Sequence, residues 1–227
     1  MRIGGLQKLT LLDFPGQVAC TVFLQGCNFR CPFCHNTPLV LGTEDYSRTE
    51  LIKFLKQRQG LLDGVAITGG EPLINADIGD LLLEIRDLGY KIKLDTNGSF
   101  PQRLKDLVHA GLVDYVAMDI KNSPEKYAMT SGVEGSLPAV KESVEFLKSG
   151  AVPYEFRTTV VDEHHEPEDF HAIGKWLQGA SAYYLQAFVD SGDILQGPGL
   201  HPASEEKMEL CRSIACQYIE NTHIRGL

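Results

Sequence analysis

Six times along this chain a short apolar, β-branched run gives way to a turn and then to a segment with helical start and stop signals. The strand-like runs are 17–25, 64–68, 91–95, 114–120, 153–161 and 182–188. The helical segments are 47–57, 75–88, 101–110, 137–148, 167–178 and 204–221. Ser47 with Glu50 reads as a capping box, and Gly89, Gly111 and Gly150 stop three of the helices. Such alternation builds parallel βαβ units with right-handed crossovers. An open doubly wound sheet and a full or partial β/α barrel both satisfy it, although six units fall short of the eight in a closed barrel. In either architecture the chemistry gathers at the C-terminal ends of the strands. No long linker or low-complexity tract interrupts the 227 residues, so the pattern reads as one domain, 1–227, with a C-terminal helix at 204–221.

Composition excludes several classes. Hydrophobic residues make up 43% and charged residues 22%, which is ordinary for a globular core and argues against disorder. The formal net charge of −9 argues against a general nucleic-acid or anionic-membrane binder. No apolar run approaches the roughly 20 residues of a membrane span, and residues 1–10 carry no secretory h-region. A cytoplasmic protein is expected, where six cysteines do not form a disulfide framework. Cys20 lies inside a strand pattern and reads as core. Cys211 and Cys216 lie on different sides of the last helix and do not read as a second metal site.

Cys27, Cys31 and Cys34 are grouped as C-x3-C-x2-C on a loop without periodicity, directly after the first strand. Three thiols on one loop make a ligand set. Structural zinc takes four ligands, which here would draw in His35; the adjacency of Cys34 and His35 makes joint chelation awkward. A 4Fe–4S cluster held by three cysteines leaves one iron open to a substrate or cofactor. The other motifs follow in order at strand ends. Gly69-Gly70-Glu71-Pro72 closes the second strand with two residues of unusual backbone freedom and a stiffening proline. Asp95-Thr96-Asn97-Gly98 closes the third, Asp119-Ile120-Lys121 the fourth, and Arg157 lies in the fifth. Asp119 and Lys121 point to one side of an extended strand. Arg157 in an apolar strand requires a partner, either a ligand carboxylate or a glutamate of the chain. His164 and His165, among Asp162, Glu163 and Glu166, read as solvated surface, and His35 as a local hydrogen-bonding residue.

These motifs, with Asp13-Phe14-Pro15-Gly16 and Leu24-Gln25-Gly26-Cys27-Asn28-Phe29-Arg30-Cys31-Pro32-Phe33-Cys34-His35-Asn36, resemble the radical S-adenosylmethionine (SAM) superfamily. Within it, the chain is most similar to the glycyl-radical-enzyme activases, in particular the anaerobic ribonucleoside-triphosphate reductase activating proteins. The resemblance runs from about 9 to 188. It implies an α/β fold, a partial (β/α)6 barrel of parallel strands. It implies a 4Fe–4S cluster on Cys27, Cys31 and Cys34, and SAM contacts from Phe33, Gly69, Gly70, Glu71, Asp95, Thr96, Asn97, Asp119, Lys121 and Arg157. The glycine motif would hold the SAM amino group through backbone carbonyls, and Lys121 would face its carboxylate. A monovalent cation would lie near Asp95, Thr96 and Asp119. Formate-lyase activases contact the SAM ribose with a histidine after the sixth strand; here the stretch is Leu185-Gln186-Ala187-Phe188, which puts Gln186 in that place.

The implied reaction is reductive cleavage of SAM to methionine and a 5′-deoxyadenosyl radical, which takes hydrogen from a glycine Cα of a partner enzyme. An external reductant such as flavodoxin or ferredoxin would supply the electron, and the activity would be oxygen-sensitive. No cysteine falls between Cys34 and Gly69, so the two-cluster insert of some activases is missing. Two alternatives stand beside this reading. One is a radical SAM enzyme acting on a small molecule, as 7-carboxy-7-deazaguanine synthases do. The other is a zinc-stabilised or electron-carrying module without turnover.

Overall fold

The structure, a computed structural model, describes residues 1–34, 37, 46–190, 192, 194, 195 and 199–227. Among them, eight strands form one sheet whose spatial order equals the chain order. They are β1 (Ile3–Thr10), β2 (Ala19–Leu24), β3 (Gly64–Gly69), β4 (Lys91–Thr96), β5 (Tyr115–Asp119), β6 (Tyr154–Val160), β7 (Tyr183–Ala187) and β8 (Thr222–Arg225). Strands β2 to β8 run parallel, and β1 lies antiparallel against β2. The two outer strands are not neighbours in this sheet. The fold is therefore an α/β partial barrel, open between β1 and β8.

The described helices are α1 (Arg48–Arg58), α2 (Ile78–Asp87), α3 (Pro101–His109), α4 (Tyr127–Ser131), α5 (Leu137–Lys148), α6 (Asp169–Leu177) and α7 (Glu205–Cys216). The α1 start is the expected capping box: Glu50 N–H donates to Ser47 Oγ at 3.1 Å, and Ser47 N–H donates back to Glu50 Oε2 at 3.1 Å. Leu81, Leu82 and Ile85 of α2, and Val140, Val144 and Leu147 of α5, are buried. Val65, Ile67, Ile92, Leu94, Val116, Met118, Phe156 and Leu185 of the strands join them in one core. Each such side chain contributes roughly 1.5–3 kcal/mol by leaving water. The alternate positions of the same strands carry Thr21, Lys93, Asp95, Asp119, Arg157 and Gln186. The sheet thus has an apolar outer face and a polar inner one.

Six of the eight strands match the six runs in the sequence; β1, β8 and α4 are additions. Strand β1 reads IGGLQKLT, with two glycines and no strand-like alternation. It exists because β2 offers it a ladder. The helix expected over 204–221 ends at Cys216. Residues 217–221 hold no glycine or proline to signal the stop, and pairing of Thr222–Arg225 with β7 decides it. The helix expected from Asn75 starts at Ile78, after a 3₁₀ turn at Pro72–Ile74. Cys20 is fully buried in the core as expected. All six cysteines are free.

Candidate functional site

The cysteine loop leaves the end of β2 and is pinned from three sides. Arg30 N–H donates to Ser131 O at 2.9 Å, tying the loop to the end of α4. Cys34 N–H donates to Cys31 O at 3.0 Å and closes a turn. Asn28 accepts from Asn97 Nδ2 at 3.0 Å and donates to Ser99 Oγ at 2.9 Å, which joins the loop to the turn after β4. Beneath α4, Tyr127 meets the Trp176 ring edge-on at 5.9 Å between centroids. Burial pushes the Cys27 thiol up to about 11 and raises Cys31 as well, with Lys121 pulling the other way at both. No three His, Cys, Asp or Glu side chains are gathered tightly enough for one metal ion among the described residues. The cysteines line a shared cavity instead. His35, the fourth ligand of the zinc alternative, lies outside the described residues.

The glycine turn after β3 crosses directly over the cysteine loop. Glu71 N–H donates to Gly26 O at 2.8 Å, and Gly70 N–H donates to Leu24 O at 2.9 Å. A Cβ on Gly70 would stand 1.9 Å from Gly26 O, so only glycine permits this crossing. The side chain of Glu71 turns away from the cavity and is fully buried. It accepts from Leu73 N–H at 2.9 Å, Thr96 Oγ1 at 2.9 Å and Asn97 N–H at 2.6 Å. Burial pushes its carboxyl up to about 7, against the pull of those donors. Glu71 is thus a brace between the turns after β3 and β4.

Inside the barrel lies a line of ion pairs. Lys93 Nζ pairs with Asp95 Oδ1. Arg157 Nη1 meets Asp95 Oδ2 at 3.2 Å, and Arg157 Nε donates to Asp119 Oδ1 at 3.0 Å. Lys121 Nζ meets Asp119 Oδ2 at 3.0 Å. Arg157 therefore finds two aspartates of the chain, not a glutamate. Burial would raise both carboxyls, yet the neighbouring cations hold Asp95 and Asp119 below the usual carboxylate range. Lys121 and Arg157 are held above their ordinary values by the same pairs, despite burial.

These parts enclose one cavity of about 300 Å³. Cys27, Cys31, Cys34, Phe33, Gly69, Gly70, Asp95, Thr96, Asn97, Asp119, Lys121, Arg157 and Gln186 all line it. Of the cluster ligands and SAM contacts expected from the sequence, Glu71 alone stands outside the lining. Gln7, Asp13, Thr21, Thr68 and Thr159 complete the polar walls. The size suits a small organic ligand. Three thiols and a cationic lattice on one cavity fit an iron–sulfur cluster and a carboxylate-bearing cofactor.

The sequence misplaced the histidine pair. His165 is 0% exposed, and His164 is half-buried. His165 Nδ1 accepts from Val161 N–H at 3.1 Å, which leaves Nε2–H to donate to Lys121 O at 2.9 Å. Its ring lies 6.2 Å from Phe33 and 6.3 Å from Phe170. Burial lowers its basicity to about 4, so it is neutral. The neighbouring acids do face water, with Asp162 and Glu166 paired to Lys207. Gln7, Asp13, Thr21, Phe23, Phe29, Thr68 and Thr159 of the cavity wall, with Asn28, Lys93, His165 and α4 around it, are the site elements that sequence reasoning missed. Lys93 carried a usable signal, the same charge in an apolar strand that drew attention to Arg157.

Comparison with known proteins agrees with this geometry. The sequence model of the radical SAM superfamily matches residues 21–177. A protein of Methanocaldococcus jannaschii named as a glycyl-radical enzyme activating enzyme is 30% identical over 234 aligned positions, covering 99% of this chain and 96% of the relative. A pyruvate formate-lyase-activating enzyme of Listeria monocytogenes is 27% identical over 196 positions, covering 78% and 76%. Among solved structures, SuiB of Streptococcus suis with S-adenosylmethionine bound superposes with a TM-score of 0.69 at 14% identity. That match covers 89% of this chain and 49% of SuiB, so the chain spans about half of SuiB. A domain of a pyruvate-formate lyase-activating enzyme from Bacteroides vulgatus gives 0.59 at 16% identity, covering 72% of this chain and 99% of that domain. Such low identities show the fold alone. The family match and the full-length relative show more: the chain belongs to the radical SAM superfamily, beside its glycyl-radical enzyme activating enzymes.

Proposed function

We propose that this single-domain chain, 1–227, activates a glycyl-radical enzyme, and that the partner is an anaerobic ribonucleoside-triphosphate reductase. One observation carries the reading: three thiols, a glycine turn and a cationic lattice converge on one cavity at the C-terminal ends of the strands. When bound, a 4Fe–4S cluster supplies the electron that splits the sulfonium C–S bond of SAM, and hydrogen from the partner's glycine Cα ends on 5′-deoxyadenosine.

The chain's residues do the rest. Cys27, Cys31 and Cys34 would hold the cluster, and Phe33 beside them would shield it. Backbone carbonyls of Gly69 and Gly70 receive the SAM amino group, and Lys121 and Arg157 face its carboxylate. Thr96 and Asn97 line the nucleoside side, and Gln186 takes the ribose. Glu71 positions both turns without touching the ligand. A flavodoxin or ferredoxin supplies the electron, and the free thiols suit a reducing cytoplasm. Among the described residues no helix is long and apolar enough to cross a membrane.

The test is SAM cleavage by anaerobically reconstituted protein under dithionite, with a Cys31→Ala control. 5′-Deoxyadenosine from the wild type alone is expected, followed by a glycyl-radical EPR doublet on the reductase. Turnover with a purine-like small molecule and none with a protein partner would favour the synthase alternative. Zinc in place of iron, with no product, would overturn the enzyme reading.

A further inference from the structure

Lys93 is the cation of the ion-pair line that the proposed reaction leaves without a task. It precedes Asp95 by two residues on β4, so both side chains point inward. Its side chain is 2% exposed and ends on Asp95 Oδ1. Burying an ammonium is costly unless its charge is used. Asp95 already has a cation in Arg157, so neutralising that carboxylate does not require a second.

With Lys93 present, every oxygen of Asp95 and Asp119 meets a cation. Three cations face two carboxylates, which leaves this lattice one charge positive, apart from Asp13, which also lines the cavity. A single ligand carboxylate balances it. A free sodium or potassium ion does not fit: it would meet ammonium or guanidinium groups at each oxygen and double the surplus. Without Lys93 the lattice would be neutral, and Asp95 Oδ1 would lack its cation. That is the environment in which a dissolved monovalent cation has a place to bind.

We infer that the Lys93 ammonium is a tethered cation of the SAM subsite. It occupies the position a sodium or potassium ion would take on Asp95, and it keeps the lattice one charge positive for the ligand carboxylate. It is a positioning residue, acting through Asp95 and Arg157. The expected monovalent-cation site near Asp95 and Asp119 is thus filled by the chain itself. The carboxylate part of this inference rests on the proposed SAM reading; the cation part does not.

The experiment compares reconstituted wild type with Lys93→Met and Lys93→Arg, in choline chloride and in sodium or potassium chloride at equal ionic strength. The first readout is the thermal midpoint without SAM. Wild type and Lys93→Arg should not distinguish the salts, whereas Lys93→Met should gain a saturable stabilisation from sodium or potassium. The second readout is the SAM dissociation constant by equilibrium dialysis. Lys93→Met should bind about tenfold more weakly in choline, the scale of one lost charged contact, and recover in sodium or potassium. A wild-type midpoint or affinity that requires sodium or potassium would overturn the inference. A Lys93→Met protein that ignores the salts in both readouts would overturn it too. Wild type that binds no SAM in any salt would refute the SAM reading, while the melting comparison would still decide the tethered cation. If Lys93→Met does not fold, the wild-type and Lys93→Arg salt series decide it alone.

Discussion

Replacing Glu71 by glutamine tests whether burial or hydrogen bonding rules that carboxyl. In the fold it is pushed up to about 7 from an ordinary 4.5, first by burial and against three donors. The folded protein therefore holds more protons than the unfolded chain between those values. The stability this contributes is complete below pH 4.5 and is lost as pH rises through 7. A shift of that size corresponds to about 3 kcal/mol. Glutamine does not titrate, so the unfolding free energy of wild type minus that of Glu71→Gln should fall by about 3 kcal/mol between pH 4.5 and 8. A constant offset of about 1–3 kcal/mol should accompany it, because an amide cannot accept from Leu73, Thr96 and Asn97 together. Urea denaturation under anaerobic conditions, followed by far-ultraviolet circular dichroism across that range, gives the difference directly. Parallel curves for the two proteins would refute the reasoning and show that the three donors keep the carboxylate ionised.

Three further substitutions probe the frame. Gly70→Ala drives a Cβ into Gly26 O and should displace the cysteine loop, lowering iron per chain after reconstitution and costing about 1–3 kcal/mol on melting. Asn28→Ala cuts the link from that loop to Asn97 and Ser99; the expected loss is roughly 1–2 kcal/mol, with faster iron release to a chelator. Arg225→Ala leaves Glu155, 1% exposed, without its cation, and should cost about 3–5 kcal/mol in chemical denaturation and free the β8 edge to hydrogen exchange.

Much of the site was legible because it is local. The cysteine spacing, the glycine turn and the strand-end aspartates are each contiguous in sequence, and the strand alternation delivers them to one end of the barrel. What escaped reading was tertiary. His165 sits in an acidic run that looks solvated, and only its packing on Phe33 and Phe170 buries it. Glu71 belongs to the glycine motif, yet the loop directs its side chain away from the cavity, which no spacing reveals. Strands β1 and β8 owe their existence to ladders with β2 and β7 rather than to their own propensity. Residues 217–221 looked helical for want of a stop residue, and the pairing that follows overrode them.

The contact between Tyr127 and Trp176 gives the chain an optical gauge. Trp176 is its only tryptophan. It leans on the helix whose end receives the backbone of the cysteine loop, so its emission reads the setting of that loop without any added dye. Filling the thiols with a strongly absorbing inorganic group would darken this indole, and losing the group would brighten it. Assembly and decay of the site can therefore be followed continuously, in one cuvette, by light that the protein itself emits.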